Sequence, residues 1–138
     1  MRARAHQRVR DERGAILIAG LLLALALLIV IGAAVDLGRA FIVRRELVSL
    51  ADGAALSGSQ AVDLDALHQG RLALDPAEAQ NAALQALAAE PGLRTQASAS
   101  AGAVSVRLER RFPTLLLQLV GLRTLSVSAQ ATASPRAP

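Results

Sequence analysis

From Ala15 to Val35 the chain runs for 21 residues without a charged or polar side chain. Thirteen of these residues are Leu, Ile or Val, and the others are Ala and two Gly. As a helix this stretch extends about 31 Å, against a bilayer hydrocarbon core of about 30 Å. At roughly −0.3 to −0.6 kcal/mol for each large aliphatic residue, insertion is favoured by about 4–8 kcal/mol. A short soluble chain could not cover a helix that is apolar on every side. A cleaved secretory signal would have an apolar region of only about 7–15 residues. Residues 15–35 are therefore expected to be a retained transmembrane helix, and the membrane is the first expected partner.

Beyond Val35 the helical period continues. Ala40, Val43, Leu47, Leu50, Ala51 and Ala54 form one stripe, with Arg45, Ser49 and Asp52 opposite. Residues 36–62 thus read as an amphipathic extension of the same helix, ending near residue 61. Asp36 and Arg39, at i,i+3 where the helix leaves the bilayer, are in reach of each other. The small residues Ala51, Gly53, Ala54, Ala55 and Gly58 would admit a close neighbour, either this chain's own domain or another subunit.

Residues 63–134 read as a small α+β domain. Asp63, Asp65 and Gln69-Gly70 mark a break, and Asp75-Pro76 starts a second short helix with Asp75 as N-cap. That helix is rich in small residues and ends at Pro91-Gly92. The period then changes to two. Apolar and polar residues alternate over 97–101, 104–109 and 125–134, which predicts a three-stranded antiparallel sheet with one face buried. Ala101-Gly102 is the expected first turn, and 113–122 an apolar helix or loop before the third strand. The tail 135–138 is expected to be disordered.

Charge adds orientation. All 15 basic residues are Arg, and residues 1–14 hold five of them against Asp11 and Glu12, or +3 of the formal +4. The leader 1–14 is thus a basic flank expected on the cytoplasmic side, with the C-terminal domain extracytoplasmic. The remainder is nearly neutral and has two aromatic residues, Phe41 and Phe112, so no nucleic-acid partner is expected. The chain has no Cys, which removes disulfides and thiolate chemistry. His6 and His68 are isolated, no Ser has a His to activate it, and Asp63 with Asp65 falls short of a calcium-loop spacing. No enzyme, cofactor, metal site or small-molecule substrate is expected.

The order of motifs points further. Arg13-Gly14-Ala15, the apolar run, Val35-Asp36-Leu37-Gly38-Arg39, then Arg44-Arg45-Glu46-Leu47 and Ala51-Asp52-Gly53-Ala54-Ala55-Leu56 resemble the N-terminal signature of TadE/TadG-like proteins. These serve tight-adherence (Flp-type) pilus assembly. The resemblance covers roughly residues 13–60, with Gly53 and Ser57 as departures.

It implies a membrane-anchored, pilin-like, non-enzymatic component of a Tad/Flp-type pilus or its assembly and secretion apparatus. The place implied is the bacterial inner (cytoplasmic) membrane, with other pilus-assembly or pilin-like subunits as partners through helix packing. Asp36, Gly38, Arg39, Leu47, Ala51, Asp52, Ala54 and Ala55 are its motif and packing candidates. A membrane-tethered binding or adhesion module unrelated to pili is the alternative reading.

Resemblance to such pilins also makes Gly14-Ala15 a candidate leader-peptidase site. The fifth residue after Gly14 would then be Ala19, where pilins of this class commonly carry Glu. Lacking that carboxylate, the chain is expected to keep its leader. N-terminal sequencing of the purified protein should find no new terminus at Ala15; finding one there would overturn this expectation.

Overall fold

The computed structural model describes residues 3–135, with side chains described for residues 14–135. The Arg-rich leader side chains, His6 and residues 136–138, which make up most of the expected disordered tail, lie outside that description. Helix α1 spans Ala3–Gly58, followed by α2 at Leu64–His68 and α3 at Pro76–Ala86. Strands β1 (Leu93–Ala99), β2 (Val104–Pro113) and β3 (Thr124–Ala133) form an antiparallel sheet in the order β1-β2-β3. A short 3₁₀ helix, Leu117–Val120, lies between β2 and β3. The expected long helix and three-stranded antiparallel sheet are both present.

By compactness the chain divides into two units. One joins α1 up to Gly38 with residues 114–123; the other holds residues 39–113 and the chain from 124 onward.

In the second unit the core is almost wholly aliphatic. Leu47, Ala51, Ala54 and Ala55 of α1 meet Ala79 and Ala83 of α3, Val104, Val106 and Leu108 of β2, and Ala129 and Ala131 of β3. β2 is central, so its inward side chains are completely covered, while those of the edge strand β1 are only half-buried. Alternation at period two puts Ser105, Arg107 and Glu109 on the opposite face. The stripe read from the sequence thus faces the chain's own domain. Between the two occupants considered for the small residues, this chain's own helix and sheet take the space at Ala51, Ala54, Ala55 and Gly58, whereas Gly53 is exposed with open space beside it.

Gly58 shows how tight that packing is. A Cβ placed on it would lie 2.7 Å from the Ala79 carbonyl oxygen and 3.0 Å from Val104 Cγ1. Only a residue without a side chain allows α1 and α3 to approach so closely. Arg110 on β2 adds a polar tie, donating to Glu46 on α1 at 2.9 Å and to Glu90 after α3 at 3.3 Å. Since Glu46 is half exposed, each ion pair is worth about 0.2–1 kcal/mol.

Several boundaries differ from the sequence reading: α3 ends at Ala86 rather than at Pro91-Gly92, and β2 continues past residue 109 to Pro113. α1 stops at Gly58, a turn earlier than expected, where Ser59 folds its hydroxyl back onto the Leu56 carbonyl. The break at 63–70 contains α2, a five-residue helix too short to show a period; Asp63 caps it by accepting from the Asp65 and Ala66 amides. β1 begins at Leu93, four residues before the alternation noted at Ala97, because Leu93 and Thr95 continue the inward series. Asp75 and Pro76 do start α3, with the carboxylate accepting from the Ala77 and Glu78 amides.

Replacing Gly58 by Ala should force the α1–α3 contact apart and destabilise the domain by about 1–3 kcal/mol. Denaturant unfolding of the full chain in detergent, followed by sheet circular dichroism, measures this. An unchanged midpoint would mean that the contact yields freely.

Candidate functional site

In the first unit, α1 is apolar on every side from Ile16 to Val35, and its large side chains are exposed almost throughout. Two positions interrupt that uniform surface, Gly32 and Asp36, both buried. They lie at i,i+4 and therefore on one face, one turn apart. Against that face lies the segment 114–123, which connects β2 to β3.

Asp36 is fully buried, and its carboxylate is the centre of the arrangement. Oδ1 accepts from the Leu115 amide at 2.8 Å. Oδ2 accepts from the Leu116 amide at 2.9 Å and the Leu117 amide at 2.8 Å. Three successive backbone N–H groups thus converge on one anion, at the start of a 3₁₀ helix whose first amides have no internal acceptor. Hydrogen bonds to a charged acceptor contribute about 1.5–3 kcal/mol each, and removing the acceptor would leave all three donors stranded.

Gly32 allows this docking sterically. A Cβ there would stand 2.7 Å from Leu116 Cβ. Earlier on the same helix, Leu25, Leu28 and Ile29 line an apolar pocket with Leu116, Leu119 and Val120. The segment closes on itself as well. The Thr114 amide donates to the Arg123 carbonyl at 3.1 Å, the buried Thr114 hydroxyl donates to the Leu122 carbonyl, and Gly121 turns the chain at φ 94°.

The other sequence candidates have different surroundings. Gly14 and Ala15 lie within the unbroken α1. Gly38 has open space where a side chain would be. In the second unit Arg39 donates to the Pro113 carbonyl at 3.4 Å, and its guanidinium carbon stands 5.8 Å from the centre of the buried Phe112 ring. That spacing fits a cation–π contact. Leu47, Ala51, Ala54 and Ala55 are core residues, whereas Asp52 is exposed beside Ala55, Leu56 and Ser59. His68 Nδ1 lies 2.7 Å from the Leu64 carbonyl oxygen at the end of α2.

Sequence reasoning placed Asp36 at the helix exit with Arg39 in reach. It missed the three Leu amides, because backbone donors leave no trace in residue identity. Two signals could have found them. One is the i,i+4 pairing of Gly32 with Asp36 within an otherwise aliphatic helix. The other is the uncharged run from Pro113 to Leu122 between two polar-alternating strands.

Together these features define an α+β protein whose small sheet is built on the later half of one long helix, with a loop pinned to the earlier, apolar half by a buried carboxylate. Residues 14–62 match the family model Tad, described as Flp pilus-assembly TadE/G-like. The match covers the apolar helix, Gly32, Asp36, Arg39 and the stalk, in agreement with the resemblance carried by the sequence motifs. Comparison with curated proteins and with solved structures gave no match.

Substituting Asp36 by Ala should release the loop. Hydrogen exchange at the Leu115, Leu116 and Leu117 amides should quicken by about ten- to a hundredfold, the equivalent of one charged hydrogen bond at each. Amides of β1 should keep their rates. Unchanged exchange at the three Leu residues would show that the carboxylate does not hold them.

Proposed function

We propose that this protein is a membrane-anchored, non-enzymatic structural component of a Tad/Flp-type pilus or of the apparatus that assembles it. The observation that carries the reading is the family match over residues 14–62, which falls on the apolar helix and its stalk. Two physical features support it. The helix exposes aliphatic side chains on all sides over a length equal to the hydrocarbon core, so lipid or other apolar helices are its natural solvent. The basic flank ahead of it favours a cytoplasmic N-terminus, with residues 36–138 toward the periplasmic or cell-exterior side.

As a structural component the chain would work by placement. Its anchor would tether the small domain to the membrane, within reach of other membrane-held subunits. Exchange of lipid for a neighbouring apolar helix is nearly neutral in free energy, so small residues and a few polar contacts decide such pairings. On the stalk the buried Ala residues are already used internally. Contacts to other subunits therefore fall to the apolar segment and to exposed positions such as Phe41, Ile42 and Leu56.

Deleting the gene should abolish or sharply reduce pilus formation and surface attachment, and the wild-type gene should restore both. Intact pili with lost attachment would favour a tethered adhesion module instead. No change in either would overturn the pilus reading.

A further inference from the structure

Residues 114–123 form an apolar projection with a consistent chemistry. Leu115, Leu119, Val120 and Leu122 are each at least half exposed, Leu119 to 74%. No charged residue occurs from Pro113 to Leu122. Of the polar side chains, Thr114 is buried and Gln118 folds its amide back onto the Leu115 carbonyl at 2.8 Å. The strands, by contrast, turn Ser, Thr, Gln and Arg outward.

Backbone satisfaction sets this segment apart from an ordinary exposed loop. The amides of Leu115, Leu116 and Leu117 are taken by Asp36. Those of Thr114, Leu119, Gly121 and Leu122 are taken by carbonyls within the segment itself. Irregular backbone can enter hydrocarbon only when its polar groups are met by protein. The amides of this segment that have such partners could therefore be tolerated in hydrocarbon as well as in water.

Position completes the case. Leu119 and Val120 share their pocket with Leu25, Leu28 and Ile29. Ile29 lies seven residues before Asp36, about 10 Å along the helix axis and toward the middle of the apolar span. The apolar face of the segment is therefore continuous with the aliphatic surface of the helix. Arg123, exposed, ends the uncharged run.

We propose that residues 114–123 are a second membrane-contacting element, a wedge lying in the hydrocarbon of the outer leaflet against α1, with Asp36 as its internal anchor. The occupant of its apolar face is lipid acyl chain. This rests on α1 spanning the membrane. The wedge would widen the protein's footprint in one leaflet only and fix which side of the helix faces lipid.

The chain has no native Cys, so single labels can be placed without further changes. The full-length protein, carrying a nitroxide at Leu119→Cys, Leu22→Cys or Ser98→Cys, is reconstituted in phosphatidylcholine–phosphatidylglycerol bilayers. Collision with oxygen and with a water-soluble nickel chelate is then measured by electron paramagnetic resonance. Labels at Leu119 and Leu22 should both favour oxygen strongly, with Ser98 favouring nickel. If Leu119 behaves like Ser98 while Leu22 stays in lipid, the wedge is wrong and the anchor stands. If Leu22 itself collides with nickel, the spanning helix fails and the wedge fails with it. If Leu119 is shielded from both reagents and recovers on dilution with lipid, a second copy covers the face and the lipid assignment is overturned.

Discussion

One carboxylate organises the apolar unit. Asp36 is enclosed on a helix whose neighbours are aliphatic, and an anion there must find strong donors or be excluded. It finds three backbone amides in a row. The requirement is mutual, since the start of a 3₁₀ helix in apolar surroundings needs an acceptor as much as the carboxylate needs donors. Gly32 then follows as a geometric condition, because the amides reach Asp36 only if Leu116 can lie against the helix one turn earlier.

The second unit solves a different problem. With two aromatic residues in the whole chain, its core cannot be filled by a few large side chains. It is closed by proximity, with Ala against Ala where α1 meets α3 and with Gly58 at the tightest point. Larger aliphatic residues fill the rest, Val104, Val106 and Leu108 on the central strand and Leu47, Leu74 and Leu87 elsewhere in the core. Small residues on a helix are often read as a mark of subunit contact. Here the same residues serve the internal packing of a small domain, and the sequence pattern for the two uses is identical.

What was legible in the residues follows from which interactions have a period. The helix from Ala15 through the stalk declares itself by unbroken apolarity and then by a stripe at Val43, Leu47, Ala51 and Ala54. The strands declare themselves by alternation, and Asp75-Pro76 by the chemistry of a helix start. α2 was hidden because five residues are too few for a pattern, although Asp63 stands where a cap belongs. The partners of Asp36 were hidden for another reason. A contact between a side chain and backbone amides far along the chain depends on where the fold brings them. The N-terminal motif resemblance pointed to the right residue without saying what that residue does.

The same contact has a consequence for the order in which the chain is made. Asp36 and the amides it holds are separated by 79 to 81 positions. At roughly 5–20 residues per second, translation delivers those amides about 4–16 s after the carboxylate. Throughout that interval the apolar helix is already complete, and its single buried acid has only water, headgroups or a neighbouring Arg to satisfy it. Asp36 is thus a latch fitted first and closed last, and the apolar unit reaches its final form only after nearly the whole domain has been synthesised.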